Sequence, residues 1–323
     1  KRAGWDEEGN APSPTGEWDL KKGYGHIRQK VKDTELAEFI DNHKVDYPVH
    51  TMCKVLGIPR STYYQTLSHE ESNRERENRE ITQRIISIHQ ESKQRYGDSK
   101  IHHLLKQEGF HVSLKRVQRL MKKSGIRSIV KKKYKPYPSK EKVIQRDNLL
   151  KQDFTTHTLN EKWVADITYI HTLKDGWCYL ASVMDWHTHK IVGYSFSKSM
   201  TTDLVIQALA NACHTQQPQH GLILHTDLGT QYTSEAFEQY VKSHGIIQSF
   251  SRKGCPYDNA CMESFHAILK KEEVNHVQYL DFHSASLALF QFIEGWYNRK
   301  RIHSRLGYKT PQVVEEDQVQ NCV

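Results

Sequence analysis

Three β-rich runs follow one another closely between residues 162 and 198: KWVADITYIHT, WCYLASVMDWHT and KIVGYSFSK. Only KDG and the short WHTH lie between them. Parallel neighbours need a crossover of a dozen or more residues, so these runs can pair only as consecutive antiparallel strands. Any fold for this chain must be built around that meander. TTDLVIQALANACHT then reads as a helix capped by Thr201 or Thr202, and GLILHTD as a strand. SEAFEQYVKSHG reads as a helix stopped at Gly245, IIQSFS as a strand, and residues 282–298 as a long helix.

The first half has a different character. Residues 100–146 hold 15 Lys and Arg against two acids, more than the whole-chain excess of +8. Basic residues clustered beside patterned helices point to a phosphate-backbone partner, with a solvated face as the ordinary alternative. In DYPVHTMCKVLGIPRSTYYQT a short helix carries Met52, Val55 and Leu56, GIP breaks it, and Ser61 is the expected cap of the next. That is a helix-turn-helix plan. RYGDSKIHHLLKQEG, ended by Gly109, and VSLKRVQRLMKKSGI form a second candidate. There Ser113 is the cap, Val117, Leu120 and Met121 the apolar stripe, and Gly125 the stop. Arg60, Lys115, Arg116, Arg119 and Lys123 are the candidate DNA contacts of these segments. Pro136 and Pro138 make the basic stretch after residue 130 a linker.

At 323 residues and 37% hydrophobic, the chain can bury a substantial core in more than one domain. The expected organisation is an N-terminal extension at 1–44, a helix-turn-helix at 45–69 and a second helical DNA-binding domain at 70–130. A basic linker at 131–155, a catalytic core at 156–280 and a C-terminal helix and tail at 281–323 complete it. No run of about 18 apolar residues exists, so no membrane span is expected. KRAGWDEEGN lacks an apolar signal region, so a cytoplasmic protein, associated with the nucleoid when DNA-bound, is expected. The six cysteines include no CxxC pair, and the 20 histidines lack matching cysteines, so neither a disulfide framework nor a zinc site is expected.

Three carboxylates stand out. Asp166 sits mid-strand in WVADITYI, where alternation places it with Val164, Thr168 and Ile170. A charge there costs several kcal/mol unless it is paired or ligated. Asp227 ends the strand LILHTD before a glycine turn, a place where α/β proteins put ligand-binding groups. Glu263 follows a turn in which Asp258 or Asn259 can cap a helix beginning at Ala260. Met262, Phe265, Ile268 and Leu269 form that helix's buried stripe, while Glu263, Ala267 and Lys270 share the opposite face with His266 beside them. Singly, each acid has an ordinary reading: a salt-bridged strand residue, a turn cap, a solvated helix residue. Together they offer hard oxygen ligands from two strands and a helix, as two divalent ions in phosphoryl transfer require. The interval between Asp227 and Glu263 is 35 residues.

WVADITYI, HTDLGTQYTS, that interval and YDNACMESFHAILKKE resemble the DDE transposases of the bacterial insertion-sequence-three family. YNRKRIHSRLGYKTPQ resembles the family's C-terminal tail, and QRYGDSKIHHLLKQEG and VLGIPRSTYY its helix-turn-helix regions. The resemblance covers about residues 45–315. It is to the OrfB or OrfAB type, whose core is similar to retroviral integrases. It implies an RNase H-like α/β core, a mixed five-stranded sheet with flanking helices, preceded by all-α helix-turn-helix domains. The strand and helix order read above has that form. It further implies that Asp166, Asp227 and Glu263 ligate two Mg²⁺ ions, with Mn²⁺ able to substitute. DNA cleavage would be followed by 3′-hydroxyl strand transfer, through a joined-end or circular intermediate, on terminal repeats and target DNA. Lys270 matches a DNA-contacting position, and His266, Arg252 and Lys253 flank the same face. Arg301 and His303 lie in the tail motif, where packing and DNA contact are both open. Joining two ends calls for a homodimer or higher oligomer.

Two features depart from the family. Leu228 stands where a basic or polar residue is common, and residues 1–45 show no sustained heptad. The chain is therefore expected to be the OrfB portion or a member that recognises ends through residues 45–130. Two other functions fit parts of the sequence: a DNA-binding regulator using only the basic half, and an RNase H-type nuclease acting on RNA–DNA hybrid.

Overall fold

The computed structural model describes residues 32–129, 148–150, 153, 155–251 and 259–321. The chain forms two compact units, Lys1–Glu80 and Ile81–Val323. In the first, helices Asp33–His43, Val49–Leu56 and Arg60–Leu67 enclose Leu36, Ile40, Met52, Leu56, Ile58 and Tyr63. Gly57 takes a left-handed conformation (φ 63°) and its N–H returns to the Cys53 carbonyl, which stops the second helix. The third helix begins at Arg60 with Pro59 at its cap position, so Ser61 lies inside it and does not cap it. Proline fixes the extended-to-helical change two residues earlier than the serine would.

In the second unit the strands are β1 (Lys162–Thr172), β2 (Gly176–Asp185), β3 (Ile191–Ser197), β4 (Ile223–Thr226) and β5 (Ile247–Phe250). Their order is β3-β2-β1-β4-β5, with β1–β2 and β2–β3 antiparallel and β1–β4 and β4–β5 parallel. This is the expected mixed five-stranded sheet. Alternation along β1 feeds two cores. Trp163 and Ala165 pack with Leu204, Ala208, Phe237 and Val241 on one face. Val164 and Ile170 pack with Met262, Phe265, Leu269, Phe292 and Ile293 on the other.

The approach of the Thr202–Gln216 helix to β3 depends on Gly193. A Cβ there would lie 2.5 Å from both Ala208 O and Ala212 N. Backbone atoms cannot step aside cheaply, so Gly193→Ala is expected to cost about 1–3 kcal/mol. A lower urea midpoint at unchanged slope would show it.

The helical segment before the sheet belongs to the second unit from Ile81 on. Ile81, Ile85, Ile101, Leu105, Val117 and Met121 join the core that holds Val164 and Phe265. Arg95 fastens it further. The side chain is buried, donates to Glu272 O (3.2 Å) and Glu273 Oε2 (2.6 Å), and lies over the Trp296 ring at 4.7 Å. The expected helix across 282–298 is α-helical only over Phe282–Phe290 and continues as a π-helix over Gln291–Asn298. The wider turn presents buried Asn298 to β3, where its side chain accepts from Ile191 N–H and donates to Ile191 O, both at 3.0 Å. Among the described residues, no helix is long and apolar enough to cross a membrane.

Candidate active site

β1 and β4 run parallel with Val164 beside His225, so Asp166 and Asp227, each two residues further on, leave adjacent strands at one level. Asp166 Oδ1 accepts the Ile167 N–H at 2.8 Å. Asp227 Oδ1 accepts the Gly229 N–H at 3.0 Å, in a turn tight enough that a Cβ on Gly229 would come within 2.9 Å of that oxygen. His225, fully buried, lies 3.0 Å from Ser249 Oγ and 2.9 Å from Ser251 Oγ and ties the end of β4 to β5.

Burial raises both carboxyls above their ordinary range. Asp166 reaches about 7, through burial first and then the charge of Asp227. Glu263 adds to the rise, while the Ile167 N–H and Lys270 oppose it. Glu263 itself is exposed, on the Ala260–Glu272 helix. The three acids therefore share one electrostatic field although they come from two strands and a helix. Among the described residues no three His, Cys, Asp or Glu side chains gather closely enough to enclose a metal ion.

His266 is not on the exposed face of its helix. It is buried with Met262, Phe265 and Leu269, and its Nδ1 lies 3.5 Å from Asp166 Oδ2. Burial, and then the Lys270 charge, hold its pKa at about 3, so the ring is neutral. The expected contact between His266 and DNA is corrected accordingly: a ring packed under Asp166 is closed to a strand. Lys270 is half-buried, with its Nζ 5.2 Å from the Tyr169 ring centroid and its charge acting on Asp166. Asn259 occupies the helix cap position without a side-chain cap bond. Asp258, Arg252 and Lys253 lie outside the described residues.

For Arg301, of the two alternatives left open, the structure shows packing. The residue is 8% exposed, and its guanidinium donates to both oxygens of Glu272 at 2.9–3.1 Å. The Trp296 indole N–H adds a bond of 3.1 Å to the same carboxylate. A guanidinium committed in this way has no fork left for a phosphate, so Arg301 is a core residue. His303 sits within 3.4 Å of Arg301 Nη1 and edge-on to Tyr297. Burial, and then the Arg301 charge, lower its pKa to about 2. An unfolded histidine takes up a proton near pH 6.5, whereas this one stays neutral, so acid favours the unfolded chain. Between pH 7 and pH 5 this residue is expected to remove about 2 kcal/mol of stability. Urea titrations at the two pH values should show that loss shrinking by the same amount in His303→Gln. An equal pH dependence in the two proteins would mean that the folded ring protonates freely.

The remaining basic candidates are on the surface. Arg60 opens the Arg60–Leu67 helix, and Lys115, Arg119 and Lys123 are exposed along or at the end of Leu114–Lys123. Arg116 is partly buried at the start of the latter, where its N–H reaches Ser113 Oγ and confirms the cap. One residue of the site escaped the sequence reading. Tyr232, in the turn after Asp227, is buried, its hydroxyl has no hydrogen-bond partner among the described residues, and its ionisation is opposed by burial and by Asp166 and Asp227. Its signal was its place in LGTQYTS, where a tyrosine had no visible reason to be buried.

The integrase core domain family matches residues 157–256, a second family of the same description matches 244–311, and the HTH-like domain family matches 75–134. The chain is 40% identical over 250 residues to the transposase for insertion sequence element IS904 of Lactococcus lactis, covering 77% of this chain and 98% of that protein. It is 34% identical over 280 residues to transposase InsF for insertion sequence IS3A of Escherichia coli, covering 86% and 97%. Among solved structures, the catalytic core domain of HTLV-2 integrase is similar over 49% of this chain and 97% of its own, at 19% identity and a TM-score of 0.38.

Proposed function

The chain belongs to the transposases of the insertion-sequence-three family, and from that premise we propose that Asp166, Asp227 and Glu263 are the acids with which it cuts and joins DNA at the ends of its element. The observation that carries this reading is the placement of Asp166 and Asp227 at one level of adjacent parallel strands, with the Glu263 helix packed on the same sheet and the charges of Asp227 and Glu263 both acting on buried Asp166. All three carboxylates are hard-oxygen donors, the kind that divalent cations prefer. Asp166, Asp227 and Glu263 would hold two Mg²⁺ ions, with Mn²⁺ able to substitute. When bound, these ions supply positive charge against the phosphate and favour deprotonation of the attacking oxygen.

The protein's own groups do the positioning. Gly229 N–H fixes one oxygen of Asp227 and leaves the other without that bond. His266, neutral and buried, backs Asp166 from the helix without adding a charge. Lys270 carries positive charge toward the strand that the acids act on. In the first step water attacks the phosphodiester at the element's end and a 3′-hydroxyl leaves. In the second that hydroxyl attacks another phosphodiester and displaces its 3′-oxygen, so no protein–DNA bond is formed. The route joins the two ends, passes through a circle and ends in target DNA. Two ends require two copies of the chain at least. Exposed Arg60, Lys115, Arg119 and Lys123 are proposed to bind the terminal repeats, and Arg252 and Lys253 are proposed to contact DNA as well.

A labelled terminal-repeat oligonucleotide incubated with the protein and Mg²⁺ should yield joined products longer than the substrate. A protein that bound this DNA without joining it, or cleaved only RNA–DNA hybrid, would overturn the proposal.

A further inference from the structure

A groove of about 620 Å³ opens at the C-terminal end of the Glu263 helix, lined among others by Tyr169, His171, Trp177, Lys270, Gln278 and Tyr279. Its wall is made of aromatic rings that the core does not use. Tyr169 is 53% and Trp177 58% exposed, their rings meet edge to face at 6.1 Å, and His171 meets Trp177 at 5.1 Å. These residues face one another across β1–β2, where Tyr169 pairs with Tyr179 and His171 with Trp177. Cross-strand packing explains why the rings touch, but not why two large rings stay more than half open to water. The floor carries a second oddity. Tyr279 is 3% exposed, and its hydroxyl has no hydrogen-bond partner among the described residues. A buried donor left unpaired costs about 1–3 kcal/mol, which a ligand with an acceptor would relieve.

The groove reaches the helix of Glu263 through Lys270. Lys270 belongs to the helix of Glu263, its charge acts on Asp166, and its Nζ lies 5.2 Å from the Tyr169 ring centroid. Along β1, Tyr169 lies three residues beyond Asp166, about 10 Å at the usual rise and on the alternate face of the strand. Flat rings, a cation and an amide at Gln278 form the equipment of single-strand recognition, because every unpaired base offers a face to stack. A paired duplex offers no such faces. We propose that this groove takes the unpaired nucleotides bordering the scissile phosphate, stacking a base against Trp177 and Tyr169 and giving the Tyr279 hydroxyl an acceptor. The assignment rests on the reading that Asp166, Asp227 and Glu263 act on DNA.

The test uses the full chain in chelator, where binding is read without catalysis. Terminal-repeat duplexes are compared with blunt ends and with four unpaired nucleotides at one end. The unpaired form should bind more tightly and quench tryptophan fluorescence, and the quench should be smaller in Trp177→Phe, which keeps a ring but not the indole. Trp177→Ala should weaken binding of the unpaired form by about 5- to 150-fold, the range for losing one stacked base, and leave blunt DNA unaffected. Equal affinity for both DNAs, or equal weakening of both in Trp177→Ala, would overturn the proposal. So would loss of self-association in Trp177→Ala with DNA preference intact, which would make the groove a contact between copies. If Glu263→Gln kept joining activity, the active-site reading would fall, whereas the unpaired-end preference in chelator is scored independently.

Discussion

Glu263→Gln is expected to lower strand transfer by more than about 100-fold, beyond the loss typical of removing a group one shell further out. The fold should not notice. Glu263 is exposed, and surface substitutions away from special features stay within about 0.5 kcal/mol. An unchanged melting curve with lost joining would therefore place the defect in the chemistry. Asp166→Asn and Asp227→Asn should lose joining to the same degree for the same reason. Their folds should be at least as stable as the parent, because both carboxyls pay for burial with a raised pKa. Joining by Glu263→Gln at the parental rate would remove it from the proposed acid set.

Glu272→Ala is the second large effect, and it falls on stability. The carboxylate is 6% exposed and accepts from Arg301 and from the Trp296 indole. Removing it strands a buried guanidinium, a loss of about 3–5 kcal/mol. Arg301→Ala strands the carboxylate and should cost a similar amount, and the double variant should cost less than the sum of the two. Urea denaturation of the four proteins measures the coupling. A fully stable Arg301→Ala that bound DNA more weakly would restore Arg301 to the DNA surface.

The two tail residues show what a sequence motif leaves open. Arg301 and His303 lie in YNRKRIHSRLGYKTPQ, and a basic residue reads the same whether it faces a phosphate or a buried acid. The partner that decides is Glu272, 29 residues away at the end of the Glu263 helix. His266 shows the same limit over a shorter range. Helical spacing placed it beside the exposed face, but the sheet beneath covers a wider arc of that helix than the Met262–Phe265–Leu269 stripe marks out. Trp177 and Tyr279 left no mark in the sequence, because an aromatic residue in a turn or strand is ordinary until its surroundings are known.

By itself the sequence determined the antiparallel pairing of the first three strands and singled out the three carboxylates. Connections as short as KDG and WHTH allow only antiparallel neighbours, and an unpaired charge amid alternating apolar residues stands out wherever it occurs. Tertiary structure alone decided which cations are exposed, which rings remain open to water, and how far the three acids act on one another. Those properties belong to contacts between segments far apart in the chain. Burial and charge–charge energy depend on distance in space, and no local pattern encodes that distance.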